Sequence, residues 1–358
     1  MHGLDLPPRP RILIVALRRL GDVLLTTPLV RSVRRAFTDA MIDVLVFSET
    51  AGILEGNPDI DRCLTLPTRA RANESLAMAA RLWRRYDLAI TTQAGDRPTF
   101  FAVLAGRKRA GVVETRLIGT LKRALLDRVL APMPGAHRVA EMLALARLIG
   151  VEPVPQVVPP RAGTLPAGLA AGYAVLHAAP MYVYKRWTPQ GWRALARRLG
   201  ERGLAVVATG GPAAAERAYL DEVFAGLPEV RRLDGALSWP DLAALLAGAR
   251  VFVGPDTSVT HLAAACGCPV VALFGPTDPR LWAPWPADGL AAPWAPSAAA
   301  QVRGNVRLLQ QPMPCQPCQE EGCLRRLDSY SLCLDRVSPQ AVIAAVEAVL
   351  DTPPAGPN

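Results

Sequence analysis

Residues 251–274 read VFVGPDTSVTHLAAACGCPVVALF, and the alternation inside this run decides the fold. Val251–Gly254 is apolar and β-branched, the composition of a buried strand. Pro255-Asp256-Thr257-Ser258 interrupts it and supplies N-cap residues. Val259–Ala265 then has the length of about two helical turns, and Gly267 and Pro269 stop it. Cys268–Phe274 is the next buried strand, and it runs out into Gly275-Pro276-Thr277-Asp278-Pro279. A helix that opens straight off a strand directs its unpaired amides and the positive end of its dipole beyond the strand, which suits an anion. His261 falls in the first turn of that helix and can face the same place.

The same alternation extends in both directions. Toward the N-terminus, strands are expected at Arg11–Leu17, Met41–Phe47, Cys63–Leu66 and Asp87–Thr91. Helices are expected at Val23–Phe37 (restarting at Thr27-Pro28), Glu74–Arg85 and Val139–Ile149, with 106–111 (GRKRAG) as a basic turn. Residues 150–168 are Pro-rich and polar and read as a linker. Beyond it the pattern restarts with strands at Tyr173–His177, Leu204–Thr209 and Arg250–Gly254. Helices are expected at Gln190–Arg202, Ala213–Phe224, Trp239–Ala247 and, capped by Ser338 with Pro339 at its first position, Ser338–Leu350. Strands alternating with helices predict an α/β protein of two Rossmann-like, doubly wound lobes facing a cleft. The expected division is 1–155, 168–310, a Cys-rich knuckle at 311–335, and a C-terminal helix and tail at 336–358.

The chain has 358 residues and a formal charge of +9. Residues 1–150 carry 23 Lys and Arg against 14 Asp and Glu, a balance of +9, and 151–358 carry 17 of each. A basic half beside a neutral half calls for an acidic partner for the first, such as a phosphorylated glycolipid or an anionic membrane surface. Nucleic acid is disfavoured, because no aromatic residues interleave with the basic run at 106–109. No apolar run reaches about 18 residues, and the first residues lack a signal-peptide core, so the expectation is a cytoplasmic protein.

Chemistry-bearing residues concentrate at the ends of strands. In Arg18-Arg19-Leu20-Gly21-Asp22, Asp22 can serve either as a helix cap or as a carboxylate that accepts a proton, and Arg18 and Arg19 can clamp an anionic acceptor. In Tyr184-Lys185-Arg186-Trp187, Lys185 stands out because only three of the 40 cations are Lys, and an ammonium in such a loop suits phosphate. Asp256, Thr257, Ser258 and His261 are the polar candidates of the opening stretch. Cys315, Cys318, Cys323 and Cys333 place four of the seven cysteines within 19 residues, a density that favours structural zinc or iron over disulfides in a cytosolic protein. Cys63, Cys266 and Cys268 read as core.

Taken in order, residues 12–37 (ILIVALRRLGDVLLTTPLVRSVRRAF), 184–192 (YKRWTPQGW), 210–216 (GGPAAAE), 253–279 (VGPDTSVTHLAAACGCPVVALFGPTDP) and the Cys-rich tail resemble glycosyltransferase family 9, the ADP-heptose:lipopolysaccharide heptosyltransferases. The resemblance implies the GT-B fold, with an N-terminal acceptor lobe and a C-terminal nucleotide-sugar lobe. It implies inverting heptose transfer from ADP-heptose, without a catalytic metal, to an acidic acceptor such as the lipopolysaccharide inner core at the inner membrane surface. It makes Asp22 the general base and Lys185 the partner of the donor phosphates. Asp256, Thr257 and His261 become donor-site residues, and Glu216 a ribose ligand. The cluster of cysteines resembles the metal-binding cysteines of related autotransporter heptosyltransferases. The chain departs from the family pattern at Ala16, where Lys is frequent, and at Ser258, where Gly is usual. Another donor sugar, a protein acceptor, a homo-oligomer, and a non-enzymatic GT-B-like scaffold remain open at this stage.

Overall fold

The computed structural model describes residues 4–114, 117–169 and 172–352, so the last six residues of the expected tail lie outside the described residues. Two compact units emerge, Met1–Arg161 and Ala162–Asn358.

The first unit is built on a six-stranded parallel sheet. Its strands are β1 (Arg11–Val15), β2 (Met41–Phe47), β3 (Arg62–Leu66), β4 (Tyr86–Thr91), β5 (Gly106–Val112) and β6 (Arg128–Leu130), in the order β3-β2-β1-β4-β5-β6. Ile12–Val15 are fully buried and pair with β2 on one side and β4 on the other. That is why this strand reads as an uninterrupted apolar run. The second unit repeats the plan with β7 (Tyr173–Ala179), β8 (Ala205–Gly210), β9 (Arg231–Arg232), β10 (Val251–Pro255), β11 (Val270–Leu273), β12 (Ala300–Arg303) and β13 (Val306–Leu309). The order β9-β8-β7-β10-β11-β13 is the same as in the first unit, and β12 closes the edge antiparallel to β13. In such sheets the chain order reverses beside the first strand, and ligands bind outside the carboxyl ends of the strands there. The two switch points are β1/β4 and β7/β10.

Three expectations are corrected. The stretch 106–111 is strand β5, not a turn: Gly106 pairs with Tyr86 and Gly111 with Thr91. Its glycines serve close approach, since a Cβ on Gly106 would lie 2.7 Å from Ala89 Cβ and one on Gly111 2.1 Å from Thr91 Cγ2. The stretch 150–168 is not a free linker, because the Val154 and Val158 amides donate to Ser32 Oγ and Thr27 Oγ1, both at 2.8 Å, and Val157 and Val158 are buried. Cys63 is exposed on the outer face of β3 rather than in the core; Cys266 is half-buried and Cys268 buried.

The core of the second unit fixes the loop that follows β7. Trp187 and Trp192 meet edge to face at 5.1 Å, both fully buried. The Trp187 indole donates to the Val337 carbonyl at 2.9 Å, and the Tyr219 hydroxyl donates to the Trp187 carbonyl at 2.7 Å. Gly191 is needed here because a Cβ would lie 2.4 Å from the Trp187 ring. The helix Pro189–Glu201 starts at once after this anchor, with the Thr188 hydroxyl accepting from the Gly191 amide. The C-terminal helix Pro339–Leu350 lays Val342, Ala345, Val346 and Leu350 into the same core.

Candidate active site

At the β7/β10 switch point the second unit pairs Lys185 with Asp256. Lys185 ends a short 3-10 turn (Val183–Lys185) held by the Trp187 anchor, and Asp256 directly follows β10. The ammonium donates to Asp256 Oδ2 at 2.7 Å and to the Asp256 carbonyl at 3.0 Å. The two side chains are 20% and 8% exposed. Burial pulls the Lys185 pKa down, but the adjacent carboxylate outweighs it and the net shift is upward. Burial likewise opposes ionisation of Asp256, yet Lys185, His261 and a hydrogen bond from the Thr277 side chain together hold its pKa below the usual range. Both groups are therefore charged at neutral pH.

Thr257 is the N-cap of the helix Ser258–Ala265, its hydroxyl accepting from the Thr260 amide at 3.4 Å. Ser258 is the first helical residue and half-buried. His261 is buried one turn in, its Nε2 4.0 Å from Asp256 Oδ1. Lys185, Asp256, Thr257, Ser258 and His261 are thus brought together, with a helix N-terminus at their centre. Glu216 lies in the first turn of the helix Ala214–Val223 that follows β8, and its carboxylate accepts from the Gly211 amide of the intervening loop at 2.8 Å. Thr277 went unnoticed in the sequence reading, although its place in the polar run that ends β11 marks it as a strand-end residue.

At the β1/β4 switch point of the first unit the groups differ, with the carboxylates of Asp22 and Glu141 set against two guanidiniums. Asp22 is buried in the short helix Leu20–Leu24. Arg18 Nη2 lies 2.8 Å from its Oδ1 and Arg138 Nε 3.8 Å from the same atom. Arg138, 7% exposed, begins the helix Arg138–Leu148; it also donates to the Thr92 carbonyl at 2.8 Å and pairs with Glu141. Burial lowers the Arg138 pKa against the opposing pull of Glu141 and Asp22. Thr92 in turn donates through its hydroxyl to the Val15 carbonyl at 3.1 Å, and Gln93 to Leu17 at 3.0 Å, so the loops after β1 and β4 are tied together around Asp22. Arg19 is exposed beside this cluster. Arg138 and Glu141 are functional candidates that the sequence reading passed over.

A four-thiolate centre needs four sulfurs converging on one point. Among the described residues no group of three or more His, Cys, Asp and Glu side chains is placed to hold an ion. Cys333 is buried while Cys315, Cys318 and Cys323 are exposed, and Cys323 Sγ accepts from the Leu332 amide at 3.4 Å. Cys318 and Cys323 both lie close enough to Cys333 to act on it electrostatically, and no step below runs through a metal.

With this geometry in place, comparison with known proteins gives the family. The model for glycosyltransferase family 9 (heptosyltransferase) matches residues 76–323. Lipopolysaccharide heptosyltransferase 1 of Pseudomonas aeruginosa is 30% identical over 96% of this chain and 99% of its own. Among solved structures, the glycosyl transferase family 9 protein of Veillonella parvula superposes with a TM-score of 0.76 at 18% identity, covering 98% of this chain and 99% of that one. The E. coli heptosyltransferase WaaC with ADP superposes at 0.72 and 23% identity, covering 95% and 99%. These superpositions carry the fold, which is GT-B. The chain belongs to glycosyltransferase family 9, the heptosyltransferases, and is a glycosyltransferase.

Proposed function

We propose that this enzyme moves a heptose from ADP-heptose to a hydroxyl of an acidic glycolipid acceptor, the lipopolysaccharide inner core, with inversion at the anomeric carbon. The observation that carries the reading is the Lys185–Asp256 pair beside the capped N-terminus of Ser258–Ala265 at the β7/β10 switch point. A buried ammonium fixed in place, next to helix amides, meets the charge that grows on a leaving diphosphate. Asp256 orients the ammonium, and Thr257, Ser258 and His261 supply polar contacts around it. Glu216, in the first turn of the helix Ala214–Val223, holds the donor ribose. The solved relative that carries ADP lends support to the choice of nucleotide.

Asp22 is the general base. The acceptor oxygen bonds to the anomeric carbon as the bond from that carbon to the diphosphate oxygen breaks. The acceptor proton passes to Asp22 and the nucleoside diphosphate leaves with the bonding pair. Arg18 and Arg19, together with the basic excess of residues 1–150, attract the acidic acceptor. An acceptor of this class brings the enzyme to the cytoplasmic face of the inner membrane. Among the described residues no helix is long and apolar enough to cross a membrane.

A calorimetric comparison of ADP, UDP and GDP tests the donor assignment. Preference for ADP supports heptose transfer from ADP-heptose. Preference for UDP or GDP replaces the donor and leaves the fold and family standing.

A further inference from the structure

The segment 311–331 has little regular structure and a largely exposed surface, with Leu324, Leu327 and Tyr330 each about half exposed. Ser329 and Ser331, however, are 2% exposed. Ser331 occupies the N-cap position of the short helix Leu332–Asp335, yet its side chain makes no cap bond. The hydroxyl is directed instead at the Tyr184 carbonyl, 2.6 Å away, one residue before Lys185. Contact at this point is close: Gly322 has φ +81°, and a Cβ there would lie 2.8 Å from Tyr184 Cβ.

A second fastening lies on the other side of the ion pair. Gln316 Nε2 donates to the Gly275 carbonyl at 2.7 Å, and the Gln319 amide donates to the Pro276 carbonyl at 2.8 Å. The next residue, Thr277, hydrogen-bonds Asp256. One segment therefore grips the backbone next to Lys185 and next to the residue that holds its partner.

We infer that Ser331 is a positioning residue for Lys185, and that the 311–331 segment is a brace that sets the geometry of the diphosphate site through Tyr184 and Pro276. The inference rests on Lys185 binding the donor diphosphate. A backbone carbonyl held by a buried hydroxyl keeps the 3-10 turn in one arrangement. Without it, Lys185 still reaches Asp256 but samples other positions relative to an incoming phosphate.

The test is ADP binding by calorimetry on the full chain. Ser331→Ala is expected to weaken ADP binding about threefold to tenfold, the range for losing one buried hydrogen bond. Ser331→Thr, which keeps the hydroxyl, is expected to bind ADP as the wild type does. In a Lys185→Ala background the Ser331→Ala change is expected to have no further effect, because it acts through that ammonium. Wild-type affinity in Ser331→Ala overturns the inference, as does the same proportional loss with and without Lys185. Where Ser331→Ala does not fold, Gln316→Ala, at a half-buried position on the second fastening, answers the same question by the same coupling. Unchanged ADP affinity in Lys185→Ala removes the phosphate role of Lys185 itself, and so is distinguished from a failure at Ser331.

Discussion

The two sheets share one strand order, and each places its polar cluster at the same topological point, yet the clusters are built from different groups. At β1/β4 the Asp22 carboxylate lies between the guanidiniums of Arg18 and Arg138, and Arg138 also pairs with Glu141. At β7/β10 a single ammonium, Lys185, is held by the carboxylate of Asp256. The shared fold supplies a crevice and nothing more specific. The side chains that line it differ, and under the function proposed above the first cluster removes a proton from the acceptor while the second stabilises the leaving diphosphate.

The largest expected effect separates the two clusters. Asp22→Asn keeps the shape and removes the proposed base, so turnover is expected to fall by about two to four orders of magnitude. ADP affinity, which the proposed function assigns to the second unit, is expected to stay at the wild-type value. Steady-state kinetics alongside calorimetry checks both. Loss of ADP binding in this variant would break the division of labour between the units.

Next comes Asp256→Asn, which strands the Lys185 ammonium. Removing one partner of a buried pair costs about 3–5 kcal/mol, and the residual exposure of Lys185 points to the lower end. The sign of the pH dependence follows from the two shifts. Asp256 has a lowered pKa, so its contribution is present above the unfolded value of about 3.9 and is lost as pH falls through the folded value. Lys185 has a raised pKa, so its contribution is present below about 10.4 and is lost as pH rises through the folded value. Denaturant unfolding of the wild type should show this pair stabilising between those limits, and the variant should lose that plateau.

A smaller effect is confined to the second unit. His177, on β7, is buried with Nδ1 3.1 Å from the Thr209 hydroxyl, and burial depresses its pKa to about 4. The unfolded chain takes up this proton near pH 6.5 and the folded chain does not, so stability is present above 6.5 and is lost as pH falls toward 4. Between pH 7.5 and pH 5 the loss is about 2 kcal/mol. His177→Asn, whose amide can still meet Thr209, should flatten that difference in denaturant titrations at the two pH values. An equal pH dependence in the variant would place the acid sensitivity elsewhere.

Much of this arrangement was legible because strand ends are marked locally. Asp22, Lys185 and the 256–261 run each follow an apolar strand within a few residues, and the fold then gathers what the sequence had aligned. Arg138 was not legible: in an Arg-rich chain one more Arg at the start of a helix carries no mark, and its burial against Asp22 arises only when β1 and β4 pair. Ser331 is a similar case, because a serine before a short helix reads as a cap and nothing local reveals that the hydroxyl turns toward Tyr184. The β12/β13 hairpin did carry a signal, the two-residue Gly304-Asn305 turn between alternating strands, and Asn305 Nδ2 also holds the Ala264 and Cys268 carbonyls at 3.0 and 2.8 Å. The error at 106–111 has a different source. Two glycines bracketing three cations imitate a turn, and only the neighbouring strand shows that glycine is required for contact rather than for bending.

That distinction yields the smallest prediction, and it concerns the first unit alone. Gly111 does not adopt a positive φ, so in a turn Gly111→Ala would be near neutral. In β5 the new methyl group would fall 2.1 Å from Thr91 Cγ2 and 3.0 Å from the Thr91 carbonyl oxygen. Thr91 is fully buried and ends the strand whose loop carries Thr92, the carbonyl partner of Arg138. The overlap cannot be relieved by an exposed side chain swinging away, so the substitution is expected to destabilise the chain by about 1–3 kcal/mol. Because the strain enters through β4, it should also lower turnover while leaving ADP affinity unchanged. A neutral Gly111→Ala variant would return the stretch to a turn and remove β5 as the support behind the Asp22 cluster.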